Sequence, residues 1–334
     1  MSHPITRRRI TRRRATALIA CSFALAASHS LLQASDKPPL RLILPVSAGS
    51  GVDAIVRAAA PSLSRALDGQ SVVIENLPGA GGITGTTAIV KAPPDGQTIG
   101  IVSNNHAVNP SVFTKKLPYD SLADITPISV VGATPFVLVV NPSKVKATNA
   151  KELQAMLQAK PGVYNYASSG NGTIIHLAGE MVIGAMGAQV RHIPYKGTGA
   201  MVAALLGGQI EMGVVAVPAV QGQLKSGALR AIGVTGPQRV PGLPDVPTIA
   251  EQGFPEVDVA GWFAMVGPAG MPPAEVKRLH DAVVAAFDMP EARDAMAKQG
   301  NVINPTTPQA AAQFFRSEQE RYAKLVKKAD IRLD

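Results

Sequence analysis

Cysteine is almost absent from this chain of 334 residues, which contains only Cys21. One thiol cannot form an internal disulfide, and the paired cysteines of redox motifs and thiolate metal sites are missing. None of the six histidines stands in an HxxxH pattern, which is a common arrangement of zinc ligands. We therefore expect a fold without disulfides and a protein without a bound metal or cofactor.

Aromatic residues are also scarce, at 4% of the chain, whereas 46% of all residues are hydrophobic. The core must then consist mainly of Val, Ile, Leu and Ala, which is typical of sheets covered by helices on both faces. About 300 residues follow position 34. This length exceeds one ordinary domain and predicts two.

Acidic residues are absent from residues 1–34, which have the build of a secretory signal peptide. Six arginines precede an apolar stretch of 13 residues at 15–27, and small residues follow. The stretch is shorter than the roughly 20 residues that span a bilayer. We predict export to the periplasm and cleavage, by the general or the twin-arginine route. A lipoprotein anchor at Cys21 is the alternative, although too few apolar residues precede it.

The positive charge of the chain resides mostly in this segment. The full chain has 32 basic and 23 acidic residues, for a net charge of +9. Six of the basic residues lie in 1–34, so 26 remain and the charge falls to +3. Binding to nucleic acid requires a concentrated basic surface. The remaining sequence has no run of like charges longer than a pair, and we exclude a nucleic-acid partner.

Strand and helix patterns alternate from residue 40 onwards, which indicates βαβ units. Two long extended stretches, residues 128–140 and 257–267, interrupt the alternation and are natural crossings between two lobes. We predict an α/β protein in which each lobe is a mostly parallel sheet flanked by helices. Residues 40–141 together with 259–334 form lobe 1, and residues 142–258 form lobe 2, with each crossing placed to within about 15 residues.

Three loops of small residues follow predicted strands, at 45–53, 168–173 and 194–199. In such sheets, ligands bind beyond the carboxyl ends of the strands. Glycine lets a ligand approach the main chain, and helix N-termini favour anions. A single loop of this kind is more simply explained as a tight turn, but three in one chain favour a site for a small anion.

The sequence motifs of cofactor-binding and catalytic sites are incomplete in this chain. Residues 170–172 start like a dinucleotide-binding fingerprint, but Ile175 stands where the third glycine is required. Residues 166–170 lack the first glycine of a nucleophile elbow. An exported α/β hydrolase-like enzyme is the alternative from another class. No nucleophile, base and acid can be assembled for it, and we predict a binding protein instead of an enzyme.

The loops and the residues between them resemble the Bug proteins, the substrate-binding components of tripartite tricarboxylate transporters. The resemblance extends over about residues 40–332, and the order of its segments along the chain makes it specific. The matching segments are residues 45–53 (P-F-P-A-G-G-G-T-D in the family), 76–82 (N-R-P-G-A-G-G), 92–96 (A-P-D-G), 109–111 (N-P-S), 116–120 (K-L-P-Y-D), 194–197 (P-Y-K-G), 243–248 (L-P-D-V-P-T), 262–263 (W-F) and 268–270 (P-A-G).

The resemblance implies a periplasmic-binding-protein fold of the Venus-flytrap, type II-like kind. It implies a small carboxylate held between the lobes by backbone amides and water, and delivery to integral-membrane transporter subunits. We further expect a monomer. A sensory role, in which the loaded protein contacts a receptor, is the alternative to transport.

The resemblance implies that residues of the loops at positions matching the family motifs contact the ligand. These positions are Ala48, Gly49, Asp53, Ser168, Ser169, Tyr195 and Lys196. The complete predicted site adds Val46, Ser50, Gly51, Asn104, Gly170, Thr173, His176, Pro194, Gly197, Thr198 and Val215. For Asp53 and His176, a structural role at a helix start is the alternative, and the charge of Lys196 is either paired with the ligand or solvated.

Some positions depart from the family pattern. Val46 replaces a Phe, Ser50 a Gly, and Ala167 a Gly. Many members read M-x-F-D-N where this chain has residues 212–216, so Val215 replaces a frequent Asp. We therefore expect a less polar pocket that disfavours amino acids, whose ammonium group requires an acid. An apolar or aromatic carboxylate, or a dicarboxylate, fits better.

Overall fold

The protein is described by a computed structural model that covers residues 37–113 and 117–328. The predicted signal peptide lies outside these residues. The strands within them are β1 (Leu40–Leu44), β2 (Val72–Asn76), β3 (Thr98–Ser103), β4 (Ile125–Thr134), β5 (Phe136–Val140), β6 (Asn165–Ser168), β7 (Arg191–Pro194), β8 (Met212–Ala216), β9 (Arg230–Val234), β10 (Gly261–Pro268) and β11 (Val302–Ile303).

Helices separate most of these strands, as the alternating pattern predicts. Their bounds are α1 (Gly51–Ala66), α2 (Ile83–Val90), α3 (Asn104–Val112), α4 (Ala150–Ala159), α5 (Ile174–Ala185), α6 (Thr198–Leu206), α7 (Val217–Lys225), α8 (Pro273–Asp288), α9 (Pro290–Lys298) and α10 (Pro308–Lys328), with a short 3₁₀ turn at Ala80–Gly82. Within the described residues, no helix has the length and the apolar character that crossing a bilayer requires.

Two sheets divide the strands. The first has the order β11-β4-β10-β3-β1-β2, and the second has the order β7-β6-β8-β5-β9. Two pairs of strands that are joined by a helical crossover lie side by side and parallel, β1 with β2 and β6 with β7. The strands next to the lobe crossings, β4, β5 and β10, pair antiparallel with their neighbours. Both sheets are therefore mixed instead of mostly parallel.

The chain passes between the sheets at Pro135 and again between β9 and β10. Strands β4 and β5 form one extended run that is interrupted only at this proline, which lacks the N–H that a central strand position requires. This crossing lies within the range predicted around residue 141, and residues 136–140 follow it. Their pairing with β8 and β9 assigns them to the second sheet, because the run changes sheets at its middle instead of at its end.

Three of the few aromatic side chains pack together where helix α10 covers the second crossing. The indole of Trp262 meets Phe314 and Phe315 edge to face, with ring centroids 5.3 and 5.6 Å apart, and its Nε1 donates to the Oε2 of Glu318 at 2.7 Å. The side chain of Asn104 accepts from the Trp262 backbone at 2.9 Å. These contacts fix β10 against α3 and α10 at the base of the space between the lobes.

Candidate ligand-binding site

A cleft of about 640 Å³ separates the carboxyl ends of the two sheets, and we call it the outer cleft. The first lobe contributes residues 45–47 and 78–82, Asn105 and Phe113 to its walls, and the second lobe contributes residues 169–171, Thr173 and residues 195–198. A smaller cavity of about 60 Å³, the inner chamber, adjoins it and shares Val46, Asn105, Ser169 and Thr198 with it. The other residues of the chamber are Ser50, Gly51, Val52, Ser103, Asn104, Thr134, Phe136, Ile174, Ile175, Ala216 and Trp262.

Five helices of the described chain begin at the wall of the inner chamber. The first residues of four of them line it: Gly51 of α1, Asn104 of α3, Ile174 of α5 and Thr198 of α6. The N-cap residue of α7, Ala216, lines it as well. The first N–H groups of a helix have no partner within that helix, and its N-terminus carries partial positive charge. Their convergence makes the chamber an environment for an anion.

Local sequence explains why the helices begin at these positions. Ser50 caps α1, since its Oγ accepts from the N–H of Asp53 at 3.2 Å, and Thr173 caps α5 through the N–H of His176 at 3.3 Å. Gly197, which precedes α6, has φ +92°. That conformation suits glycine, and a Cβ there would lie 2.5 Å from the Oγ of Ser47 in the opposite lobe.

The lobes touch each other directly across the cleft. The Oγ of Ser47 accepts from the N–H of Thr198 at 3.1 Å, and the Oδ1 of Asn105 accepts from the N–H of Ile174 at 2.8 Å. Two side-chain oxygens of lobe 1 thus cap two helices of lobe 2 and link the lobes across the cleft.

Among the described residues that line the outer cleft and the inner chamber, Lys196 is the only charged one and none is acidic. The carboxylate of Asp53 is 6% exposed and turns into lobe 1. It accepts from Gly49 N at 2.9 Å, Arg57 Nε at 2.9 Å and Asn76 Nδ2 at 3.0 Å. Burial acts to raise the pKa of Asp53, but these hydrogen bonds outweigh it and leave the pKa below its usual value. Asp53 is therefore an ionised residue that holds the first loop together.

Eleven residues of the predicted site line one of the two cavities. They are Val46, Ser50, Gly51, Asn104, Ser169, Gly170, Thr173, Tyr195, Lys196, Gly197 and Thr198. Seven lie behind these walls or beside them: Ala48, Gly49, Asp53, Ser168, His176, Pro194 and Val215. Ligand contact by any of the eighteen stays a prediction.

Val215 lies inside the second sheet, where it is fully buried opposite Val137 on β5. The cavity is bordered instead by its neighbour Ala216, at the position where the family pattern reads Asn. The low polarity of the pocket therefore comes from Ala216 and from the lack of acidic side chains among the described lining residues, and Val215 does not contribute to it.

Several lining residues were not predicted, among them Ser47, Asn105, Phe113 and the loop 78–82. Asn105 had a detectable signal, because it lies in the first turn of a helix that directly follows strand β3. The loop 78–82 is glycine-rich and belongs to a family segment, so its position at a strand end was also detectable. Phe113 gave no local signal, because it reaches the cleft only through the direction of α3.

A serine and a histidine lie close together behind the second-lobe loop. The Oγ of Ser168 is 2.6 Å from the Nε2 of His192, a distance that suits a nucleophile and a base. Ser168 is fully buried, however, and lines neither cavity. No group of three His, Cys, Asp or Glu in the part of the chain described by the structure is placed to hold a metal ion.

Comparisons with known proteins agree with this architecture. Residues 55–331 match the family model described as the tripartite tricarboxylate transporter family receptor, TctC. Protein BugT of Bordetella pertussis (strain Tohama I) is 35% identical over 324 residues, which are 96% of this chain and 98% of that protein.

Two solved structures are similar over almost their whole length. The periplasmic binding protein BugD has a TM-score of 0.84 and 31% identity, and the match covers 89% of this chain and 99% of that one. Rpa4515 of R. palustris, solved with adipate, has a TM-score of 0.85 and 30% identity over the same shares. The predicted two-lobed binding-protein fold and the resemblance to the Bug proteins are therefore confirmed. The chain belongs to the receptor family of tripartite tricarboxylate transporters, the family of the Bug proteins.

Proposed function

We propose that the protein binds a small carboxylate between its lobes outside the cytoplasm and delivers it to integral-membrane transporter subunits, without catalysing a reaction. The observation that carries this proposal is the convergence of five helix N-termini on the inner chamber. A carboxylate combines a compact negative charge with about four acceptor sites for such N–H groups.

Closed lobes explain how the ligand is held. In the structure, neutral oxygens of Ser47 and Asn105 occupy the N–H groups of Thr198 and Ile174. Hydrogen bonds to an ionised acceptor are roughly twice as strong as those to a neutral one. A carboxylate that enters the chamber, directly or through a bridging water, would therefore compete well for these donors and link the two lobes.

The relatives support the class of ligand and the location. Rpa4515 was solved with adipate, a dicarboxylate, and BugD is described as a periplasmic binding protein. The predicted signal peptide at residues 1–34 agrees with the same compartment. In the part of the chain that the structure describes, no acidic residue lines either cavity, which favours a ligand without an ammonium group.

A thermal-shift screen followed by calorimetry tests the proposal. The chain without residues 1–34 is titrated with mono-, di- and tricarboxylates, including adipate and malate, and with the diamide of adipate as an uncharged control. A ligand at 100 times its Kd should add about 2.7 kcal/mol to the stability. We expect at least one carboxylate to act and the diamide to remain inert; a panel without any effect overturns the proposal.

Two variants at the start of α6 test the role of backbone donors. Thr198→Pro removes the N–H that donates to Ser47 in the structure, at a helix position where proline is tolerated, whereas Thr198→Ala keeps it. Losing a hydrogen bond to a charged group costs about 1.5–3 kcal/mol. We expect the proline variant to bind its carboxylate at least tenfold more weakly, and the alanine variant to bind like the wild type.

A further inference from the structure

Two histidines of the second lobe, His176 and His192, stack on each other behind the loop 168–173. Their ring centroids are 3.9 Å apart and their planes differ by 8°. His176 is the third residue of α5 and is buried, and His192 is the second residue of β7 and is half-buried. Neither lines the outer cleft or the inner chamber.

His176 holds the far end of the loop. Its Nδ1 accepts from the N–H of Gly172 at 3.1 Å, so this nitrogen carries no proton. The proton is then on Nε2, which lies 3.5 Å from the Oε1 of Glu180. The Thr173 side chain accepts from the N–H of His176, while the imidazole accepts from the N–H of Gly172, one residue before the N-cap. The arrangement is thus a variant of the capping box, in which imidazole takes the place of the usual Glu and the bond back to the chain is shifted by one residue.

His192 holds the near end of the loop. The hydroxyl of Ser168 donates to the carbonyl of Gly170 and accepts from its N–H, both at 3.1 Å. When the one proton of that hydroxyl is directed to the Gly170 carbonyl, the Nε2 of His192 is the donor in its 2.6 Å contact with the Ser168 Oγ. The bond fixes Ser168, and through it the Gly170 backbone, which has φ +137°.

The surroundings of the pair keep both rings in place. Tyr166 on β6 stacks on His192, with centroids 4.9 Å apart, and its hydroxyl donates to the carboxylate of Glu180. A closed set of contacts therefore runs from Ser168 through His192, His176, Glu180 and Tyr166. Burial, together with the neighbouring His176, lowers the pKa of His192 to about 4, which agrees with a neutral stacked ring at neutral pH.

We propose that His176 and His192 are positioning residues that hold the loop 168–173 in the shape that binds the ligand. Three residues of this loop line the outer cleft: Ser169, Gly170 and Asn171. They lie between Ser168, whose hydroxyl contacts His192, and Gly172, whose N–H donates to His176. The inference rests on the proposed carboxylate site, since it assigns residues that act on that site from behind.

Hydrogen exchange in the ligand-free protein tests the inference without reference to any ligand. His176→Leu removes the acceptor of the Gly172 N–H, whereas His176→Asn keeps an oxygen near the position of Nδ1. His192→Phe keeps a stacking ring without the donor, whereas His192→Gln places an amide N–H near the position of Nε2. The amides of β9 at the far edge of the same sheet serve as an internal reference for global stability.

We expect His176→Leu to speed exchange at Gly172, and His192→Phe to speed it at Gly170, each by about tenfold relative to β9, as the loss of one hydrogen bond would. The Asn and Gln variants should restore most of the protection. If His176→Leu does not fold, the His192 pair decides the matter. Unchanged exchange in the folded Leu and Phe variants, or no recovery with Asn and Gln, overturns the inference.

Calorimetry with adipate separates this inference from the proposed function. The Leu and Phe variants should bind adipate about tenfold more weakly, and the Asn and Gln variants should recover most of the affinity. If all four variants bind adipate with the affinity of the wild type, the positioning role is refuted and the carboxylate site stands. If no carboxylate binds the wild type, the proposed function fails, and with it the role assigned to the loop.

Discussion

The side-chain oxygen of Ser47 in the first lobe accepts a hydrogen bond of 3.1 Å from the backbone N–H of Thr198, the first residue of α6 in the second lobe. The bond joins the lobes at the entrance to the inner chamber. The family pattern has proline where this chain has Ser47, and proline offers no side-chain acceptor. The cross-cleft bond therefore depends on the serine at this position.

Replacing Ser47 should shift the ligand-free protein towards an open form. Ser47→Ala removes one neutral hydrogen bond, which contributes about 1 kcal/mol, so the ratio of closed to open molecules should fall about fivefold. Small-angle scattering should show a larger radius of gyration without ligand and an unchanged one at saturation. Ser226→Ala, which removes only a bond within its own helix turn, is the control; equal radii for both variants contradict the prediction.

A side chain at Gly51 should prevent the lobes from closing. A Cβ at this position would lie 2.5 Å from the Cβ of Ala216 in the other lobe. We expect Gly51→Ala to weaken binding of adipate at least tenfold while it leaves the melting temperature of the free protein unchanged or raised, because alanine favours helix over glycine. Gly184→Ala in α5 meets no atom within 4 Å and should bind normally.

The single tryptophan should report on ligand binding. Trp262 borders the inner chamber and is 5% exposed, so its emission depends on what fills the chamber. Titration with adipate should change the fluorescence intensity along the same curve as the calorimetric heat. Trp262→Phe should abolish the change, while calorimetry still detects binding. A constant emission during saturation would place the ligand elsewhere.

Acid should destabilise the protein through His106. This residue is 3% exposed, and burial lowers its pKa to about 4 although a bond to the Ser121 carbonyl opposes the shift. Between pH 6.5 and 4 the unfolded chain binds a proton that the folded protein rejects. The free energy of unfolding therefore decreases as the pH is lowered through this window, and above it His106 contributes no pH dependence. The full loss is about 3 kcal/mol.

Urea unfolding of the wild type and of His106→Gln between pH 7.5 and 4.5 measures this effect. The glutamine amide can donate to the Ser121 carbonyl and does not titrate. We expect the variant to be less stable than the wild type at pH 7.5 and to lose less stability on acidification. Parallel curves for the two proteins would show that another group causes the acid loss.

Much of the architecture could be predicted because it depends on local patterns. Strands β1, β6 and β7 are each followed by a glycine-containing loop and a helix. This pattern located the loops 45–53, 168–173 and 194–199, which supply most of the wall of the outer cleft and part of the wall of the inner chamber. The family segments added the two-lobed fold, which the comparisons confirmed.

Other features could not be predicted because they depend on pairing between distant residues. Alternation of side chains does not show which sheet a strand joins, so the sequence placed the crossing only to within about 15 residues of 141. The pairing of β5 with β8 and β9 located it at Pro135. Position within a family motif does not show which neighbour faces the cavity, and Val215 was selected where Ala216 lines the chamber. His192 gave no signal, because its stacking on His176 requires two separate elements to meet.

The sequence by itself determined where helices begin, since strand ends, glycines and cap residues such as Ser50 and Thr173 act on their nearest neighbours. Only the tertiary structure decided that five of these N-termini converge on one chamber. It also brought Ser47 against Thr198, and His176 against His192. The physical reason is that capping operates over three or four residues, whereas the field of an anion site is the sum of helix ends that the packing of two sheets brings together.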